Sequence, residues 1–413
     1  MTKLPVFPCR HQANGLALKN AAFGGRAAEI LGAEAFAEAK REISVWPGYA
    51  PTPLLPLSGL AAALSLGDVQ YKDEGQRFGL KSFKALGGAY AVLKVLRREL
   101  AARNIHIAGV TELLSADHQS VTSGITVCCA TDGNHGRSVA WAAQMFGCGC
   151  IVYLHEGVSE GRANEIAAYG ARIRRVAGSY DDSVEVAADE AGEHGWFVVS
   201  DTSWEGYEEV PAWVMQGYMV MADEIAGQWP GGLESPGGVP SHLFIQGGVG
   251  GLAGGVAGQF WRLLGAARPR TVVVEPERAD CIARTMQVGE PTMVPGDVET
   301  FMACLAGANI SPLAWQILRD CADETLIIPD VAAEETMRIL AAGVGEDRPI
   351  VAGESGCAAT AALISACGDD VLRETLGLDK DSRVLVIGSE GATDAEIYRQ
   401  VVGRTPEQVT GAI

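Results

Sequence analysis

From about residue 69 onward, short apolar runs alternate with longer amphipathic segments. Short apolar strands that alternate with helices of ten residues or more indicate parallel β/α units. The pattern predicts strands at 69–72, 125–130, 150–155, 172–176, 196–199, 243–246, 271–274, 325–328, 348–351 and 384–387. The main helices are predicted at 83–100, 136–146, 161–169, 180–194, 211–229 and 252–264. The sequence therefore predicts an α/β fold built on open, mostly parallel twisted sheets flanked by helices.

The first 50 residues are Ala-rich, with a helix predicted at 27–43, and they end in a Pro-punctuated extended segment. A chain of 413 residues is long for one hydrophobic core, so two lobes are expected.

The formal net charge of −19, from 51 acidic and 32 basic residues, argues against nucleic acid and anionic membranes as partners. No apolar run reaches the length needed to span a bilayer. The ten cysteines form no paired C-x-x-C modules, which is typical of free thiols in a reducing compartment. We expect a cytoplasmic protein, and we expect no metal site.

A candidate catalytic lysine follows the first strand of the alternating region. Ser82 is a suitable N-cap for the helix that begins there, so Lys84 falls in the first helical turn. The positive end of the helix dipole disfavours a cation at that position, and a lysine that is readily neutral suits Schiff-base chemistry. Taken alone, Lys84 also fits a surface lysine of an amphipathic helix.

The loop 130–138 joins a strand to a helix at the carboxyl edge of the predicted sheet. Backbone N–H groups at such a junction point into the crevice, where those of 131–135 can bind a carboxylate. Asp132 lies in this anion-attracting loop. A carboxylate with a chemical role and an aspartate that only stabilises a turn explain it equally well.

The loop 245–255 is rich in glycine, follows a strand and opens a helix, which is the arrangement of a phosphate cradle. Gly248, Gly250 and Ala253, followed by Glu275, also imitate a dinucleotide-binding fingerprint. A nicotinamide enzyme does not explain Lys84 or Asp132, whereas a phosphate-bearing aldehyde cofactor explains all three segments.

In a third loop, 386–394, Ser389 can contact a ring nitrogen, although a tight turn explains that loop better when it is taken alone.

These three loops, in this order, resemble those of the tryptophan-synthase-β-like pyridoxal-phosphate (PLP) enzymes of fold type II. Within that group the chain is similar to the diaminopropionate ammonia-lyases. The segments that carry the narrower resemblance are 72–91, 131–143, 201–207, 214–218, 274–282, 353–356 and 389–394. The similarity extends from about residue 51 to residue 403.

The resemblance implies a role for each matching residue. Lys84 would bind the cofactor as a Schiff base, Phe83 would lie at its ring, Asn134 would reach its 3′-oxygen, and Ser389 would face its ring nitrogen. The residues implied to bind the phosphate are Gly247, Gly248, Val249, Gly250, Gly251 and Leu252. The residues implied to bind substrate are Ser82, Thr131, Asp132, Gly133 and His135, together with Asp201 for a second amino group.

The resemblance also implies α,β-elimination of 2,3-diaminopropionate to pyruvate and two ammonia. Lys84 and Asp132 would remove the Cα proton from opposite faces, so that both the D and the L enantiomer react. The implied architecture is a homodimer, with a large cofactor-binding domain at 1–87 and 217–413 and a small domain at 88–216.

Lys81 and Ala392 depart from the residues usual in these enzymes, and Cys304 does not match a family cysteine clearly, so no disulfide with Cys281 is assumed. The nearest rival function is that of a related eliminase acting on serine, threonine or 3-hydroxyaspartate. Asp132 argues against a plain L-serine or L-threonine dehydratase, which usually carries serine or alanine there. Two more distant possibilities are a binding or sensor protein without chemistry and a nicotinamide oxidoreductase.

Overall fold

The structure is a computed structural model that describes residues 4–131, 133–178, 180–234 and 238–411, apart from the side chains of 116–118 and 181. The strands are β1 Arg10–Ala13, β2 Leu54–Pro56, β3 Asp68–Asp73, β4 Thr126–Ala130, β5 Gly149–His155, β6 Arg172–Val176, β7 Phe197–Val198, β8 His242–Gln246, β9 Arg270–Pro276, β10 Glu324–Ile328 and β11 Arg383–Gly388. The helices of the first half are α1 Gly25–Ile30, α2 Ala33–Ile43, α3 Ser58–Leu64, α4 Lys84–Ala102, α5 Val110–Leu113, α6 Ala116–Thr122, α7 Asn134–Phe146, α8 Glu160–Ala167 and α9 Tyr180–His194. Those of the second half are α10 Glu209–Gln228, α11 Gly251–Leu264, α12 Cys281–Val288, α13 Pro312–Cys321, α14 Asp330–Ala342, α15 Ala358–Gly368, α16 Asp370–Leu376, α17 Ala395–Val402 and α18 Pro406–Thr410.

The chain divides into two compact units. Unit 1 comprises 1–31, 51–82 and 221–413, and unit 2 comprises 32–50 and 83–220, in each case for the residues that are described. The sequence expectation placed 32–50 in the large domain. The structure packs this segment with unit 2, because Glu38 on α2 accepts hydrogen bonds from Lys94 on α4 at 2.8 Å and Trp46 packs edge-on against Trp141.

Unit 1 contains a seven-stranded sheet in the order β1-β10-β9-β8-β11-β3-β2. Its two edge strands pair antiparallel, and the five central strands pair parallel. β8 and β11 are neighbours in register, with His242 opposite Val384. Because the carboxyl ends of parallel strands meet at one edge, the loops that follow β8 and β11 lie at the same edge of this sheet.

Unit 2 contains a four-stranded parallel sheet in the order β6-β5-β4-β7. β4 and β7 are neighbours, with Cys128 opposite Val198. The loop that begins at Thr131 and the loop that carries Asp201 therefore leave the same edge of this sheet. This topology brings together two candidate loops that are about 70 residues apart in the sequence.

The α/β fold with two mostly parallel sheets is confirmed, and most predicted strands lie within two residues of their observed bounds. Two predictions are wrong. The helix predicted at 27–43 is two helices, because the chain becomes extended at Gly32 (φ −62°, ψ 165°) between α1 and α2. The apolar run 348–351 packs as irregular chain, with Ile350 buried in the core of unit 1 and its N–H donating to Leu340.

Within the described residues, no helix is both long and apolar enough to cross a bilayer.

Candidate active site

Lys84 is the first residue of α4, so its predicted place in the first helical turn is confirmed. The prediction that Ser82 caps this helix is wrong. The N-cap is Phe83, in a helical conformation and without a side-chain capping bond, whereas Ser82 forms an isolated antiparallel bridge with Glu390. Backbone pairing with the loop after β11 holds Ser82 in an extended conformation, so the helix begins two residues later.

The amino group of Lys84 donates to Oδ2 of Asp201, and both side chains are 16% exposed. Burial alone would raise the pKa of Asp201, but the Lys84 ammonium outweighs it and holds that pKa well below its usual range. Asp201 is therefore ionised at neutral pH. The pair places an ionised carboxylate against the amino group of the lysine.

His135 lies beside this pair, with its Nδ1 3.9 Å from Oδ2 of Asp201. Its Nε2 is 2.7 Å from the carbonyl oxygen of Val199, an acceptor that requires a proton on Nε2. Burial lowers the pKa of His135, so the ring is neutral at pH 7 and presents the Nδ1 lone pair to Asp201.

The side chain of Thr131, the first residue of the loop between β4 and α7, stabilises that loop. The hydroxyl of Thr131 accepts hydrogen bonds from the N–H groups of Gly133 and Gly136, at 3.0 and 3.2 Å. Asn134, the first residue of α7, is buried, and its Oδ1 accepts from Arg137 at 3.3 Å. Asp132, the predicted second base, lies outside the described residues.

Close packing of α4 on α7 fixes this loop relative to Lys84. A Cβ at Gly88 would lie 2.1 Å from the Ser138 hydroxyl, so only glycine permits the approach. The same hydroxyl donates to the carbonyl oxygen of His135 at 2.7 Å. The Phe83 ring, predicted to lie at the cofactor, contacts Tyr218 with ring centroids 4.9 Å apart.

The predicted phosphate cradle lies in unit 1, between β8 and α11. Gly248 and Gly250 have φ of +54° and +95°, conformations that side-chain-bearing residues rarely adopt. α11 begins with no side-chain cap and no acidic residue in its first turn. Its first N–H groups and the positive end of its dipole therefore suit an anion, so the residues present fit a phosphate.

Glu275, the acid of the competing dinucleotide fingerprint, is completely buried behind the glycine loop. Its two carboxylate oxygens accept from the N–H groups of Ile282 and Ala283 at 2.7 and 2.8 Å, at the start of α12. These bonds leave it unable to reach a ribose hydroxyl, which argues against a nicotinamide enzyme. Burial raises the pKa of Glu275 to about 8, so it does not repel an anion bound in front of it.

Ser389 follows β11 directly and is buried. The next residue, Glu390, accepts from the N–H of Ser355 at 3.1 Å, and Gly391 donates to the carbonyl oxygen of Lys81 at 2.9 Å. Unit 1 thus brings the Ser389 loop next to Ser82. Cys281 and Cys304 are both free thiols.

Two residues of these sites were missed by the sequence prediction. Glu275 was considered only as a ribose ligand, although its position six residues before the start of α12 is compatible with a capping role. Tyr207 donates to Val198 and accepts from Ser200, which leads directly to Asp201. The glycine before Tyr207 signals a turn, but no pattern indicates that the phenol folds back on its own chain.

Comparison with known proteins agrees with this geometry. Residues 45–390 match the family model described as pyridoxal-phosphate dependent enzyme. The diaminopropionate ammonia-lyase of Escherichia coli K12 is 40% identical over 86% of this chain and 88% of its own. Two crystal structures of the Escherichia coli enzyme superpose on this chain, and each match covers 96% of this chain and 97% of the crystallised chain. The complex with an aminoacrylate-PLP azomethine reaction intermediate has a TM-score of 0.83 at 35% identity, and the complex with D-serine has 0.82 at 36%. The chain therefore belongs to the family of pyridoxal-phosphate-dependent enzymes, and among them it is similar to the diaminopropionate ammonia-lyases.

Proposed function

We propose that this protein is an ammonia-lyase that converts both D- and L-2,3-diaminopropionate into pyruvate and two ammonia. The observation that carries the proposal is the contact between Lys84 and the ionised Asp201. A carboxylate beside the catalytic lysine favours a substrate with a second ammonium group. The uncharged hydroxyl of serine or threonine gains much less from such a partner.

Lys84 is the residue proposed to bind pyridoxal phosphate. The cofactor supplies an electron sink that stabilises negative charge at the substrate Cα. In unit 1 we assign Gly247–Leu252 to the phosphate and Ser389 to the ring nitrogen. In unit 2 we assign Asn134 to the 3′-oxygen and Phe83 to the ring.

The remaining assignments concern the substrate. Ser82, Thr131, Gly133 and His135 are proposed to bind the carboxylate. The backbone N–H groups at the start of α7 support this, because a helix N-terminus attracts an anion. Asp201 is proposed to bind the β-amino group.

Two bases on opposite faces explain why both enantiomers are proposed as substrates. Lys84 removes the Cα proton from one face, and Asp132 removes it from the other. We also propose a homodimer located in the cytoplasm, with a large cofactor-binding domain and a small domain. The resemblance supports the oligomeric state, and the charge and the free cysteines support the compartment.

The experiment that tests the two-base assignment compares Asp132→Asn and Lys84→Ala on each enantiomer separately. Asp132→Asn should abolish turnover of one enantiomer only, whereas Lys84→Ala should abolish turnover of both because it also removes the cofactor attachment. Lys94→Ala, on the same helix, is the matched control and should retain both activities. Equal loss on both enantiomers in Asp132→Asn would contradict the assignment, and faster release of pyruvate from L-serine would favour the related dehydratase.

A further inference from the structure

We propose that Tyr207 is a positioning residue that fixes the carboxylate of Asp201 against Lys84. Its phenolic oxygen accepts a hydrogen bond from the N–H of Ser200 at 3.0 Å and donates one to the carbonyl oxygen of Val198 at 2.8 Å. Both partners lie within three residues of Asp201. The inference rests on the proposed function only in that Lys84 carries the cofactor.

A tight hairpin turns the Tyr207 side chain back onto its own chain. The N–H of Tyr207 donates to the carbonyl oxygen of Trp204 at 2.9 Å, and the two rings stack with centroids 4.1 Å apart and planes 12° apart. Gly206, with φ of +81°, supplies the left-handed residue that this turn needs. The hairpin thus presents the phenol to the segment that leads from β7 to Asp201.

Neighbouring elements hold the residue between the two partners of Tyr207. The N–H of Val199 donates to Cys128 on β4 at 2.8 Å, and the carbonyl oxygen of Val199 is 2.7 Å from Nε2 of His135 on α7. Val198, Val199 and Ser200 are therefore all fixed immediately before Asp201. The bond at Ser200 is the last of these, so its loss frees the backbone rotation that aims the Asp201 carboxylate.

Several titratable groups among the described residues interact with this carboxylate. Lys84 and His135 interact with it most strongly, and the phenols of Tyr207 and Tyr218 and the thiol of Cys129 also lie in its field. Burial, reinforced by the charge of Asp201, raises the pKa of Tyr207 well above its usual value. The phenol is therefore a neutral donor throughout the pH range of the experiment below.

Tyr207→Phe tests the hydroxyl alone. The Tyr207 ring lines a cavity of about 360 Å³ together with Trp204, Trp196 and Phe197, and a phenylalanine ring keeps that wall. Tyr153→Phe is the matched control, because its hydroxyl also makes a 2.7 Å hydrogen bond, to Glu190, away from the 198–201 segment of the same unit.

The measurement is the absorbance of the cofactor-loaded protein as a function of pH, without substrate. This absorbance follows the proton on the Lys84 nitrogen, which a nearby carboxylate stabilises. Asp201→Asn should lower the midpoint of this pH titration by about 1 pH unit or more, which is the usual effect of removing an opposite charge. Tyr207→Phe should lower it by roughly half a unit, because the carboxylate remains but is no longer held in place. Tyr153→Phe should leave it unchanged.

Thermal unfolding separates positioning from general stability. Both tyrosine variants lose a partly buried hydrogen bond, so both should unfold at a somewhat lower temperature. A midpoint in Tyr207→Phe equal to that of the wild type, with a similar loss of stability in both variants, would overturn the inference. The absorbance measurement uses no substrate, so it is independent of the proposed activity. A wild type that shows the absorbance band of the cofactor bound to Lys84 but releases no pyruvate from diaminopropionate contradicts the proposed function and leaves the inference standing. A wild type without the band would overturn the inference.

Discussion

The amino group of Lys84 donates to the carboxylate of Asp201, which follows it by 117 residues in the sequence. Replacement by Asp201→Asn removes the charge from this contact while keeping its shape. A hydrogen bond to a charged group contributes about 1.5–3 kcal/mol, so we expect kcat/KM for diaminopropionate to fall about 10- to 100-fold. The measurement is steady-state release of pyruvate.

Glu38→Gln is the control for this change. Glu38 pairs with Lys94 at 2.8 Å in the same unit, but its side chain is 30% exposed. We expect its kcat/KM to equal that of the wild type. Equal losses in the two variants would show that the charge of Asp201 has no special role.

Two buried histidines predict a loss of stability in mild acid. Burial lowers the pKa of both His135 and His242 below the value of about 6.5 that they have in the unfolded chain. Below pH 6.5 the unfolded state binds more protons than the folded state. The stability that the neutral rings confer is therefore fully present above that pH and is lost as the pH falls toward the folded pKa values.

Each of these histidines changes the free energy of unfolding by at most about 1.4 kcal/mol per pH unit. His242→Gln should therefore reduce the slope between about pH 6.5 and about pH 5, as measured by urea unfolding at several pH values. His106→Gln, at an exposed position, is the control and should leave the slope unchanged. A slope that is the same in all three proteins would contradict the prediction.

Gly250→Ala should weaken cofactor binding. At this position, with φ of +95°, a Cβ would lie 3.0 Å from Ala314 and 3.1 Å from Leu318, so the start of α11 must shift. Gly289 has a similar φ of +91°, but its nearest neighbour, Leu16, would lie 3.8 Å away. Both substitutions carry backbone strain of about 1–3 kcal/mol.

Titration of each apoprotein with pyridoxal phosphate, followed by absorbance, separates the effect of displacing the start of α11 from the effect of backbone strain alone. We expect the Kd to rise at least tenfold in Gly250→Ala, since about 1.4 kcal/mol of lost binding energy suffices. In Gly289→Ala the Kd should stay within twofold of the wild type. A normal Kd in both variants would exclude a role for this loop in binding the cofactor.

A buried charge network in unit 1 predicts a large effect on stability. Arg77 donates to Glu74 at 2.9 Å and to both oxygens of Glu224 at 2.7 Å, and Lys72 donates to Glu224 at 2.8 Å. Arg77→Met would leave the buried carboxylate of Glu74 without its cationic partner and that of Glu224 with Lys72 alone, which costs about 3–5 kcal/mol. Chemical denaturation measures the change.

The control for Arg77 is Arg399→Met. Arg399 pairs with Glu396 at 2.9 Å, and both side chains are more than half exposed. Water replaces such a partner at little cost, so we expect no measurable change in the free energy of unfolding. A similar result for Arg77→Met would mean that the network does not stabilise the fold.

The strands, the main helices and the glycine loops could be predicted because they depend on local pattern. Short continuous apolar runs mark β8 and β11, and glycine marks the turn into α11. The cap of α4 could not be predicted, because Ser82 is held by Glu390, which lies more than 300 residues later in the sequence. Contacts of this kind leave no periodic signal.

The contacts that define the lysine's surroundings are also long-range. The resemblance assigned Asp201 to the substrate, whereas its contacts with Lys84 and His135 depend on the neighbouring positions of β4 and β7. The burial of Glu275 depends on the packing of α12 against β10 and β1, which a single sequence does not show. Its role as a cap rather than a ribose ligand follows from that packing.

Release of pyruvate by the purified protein, with D- and L-2,3-diaminopropionate supplied separately and L-serine as comparator, tests the proposed activity most directly. We expect both enantiomers of diaminopropionate to react, each well above the rate with L-serine. No pyruvate from either enantiomer, in a protein that still binds pyridoxal phosphate at Lys84, would contradict the proposed substrate.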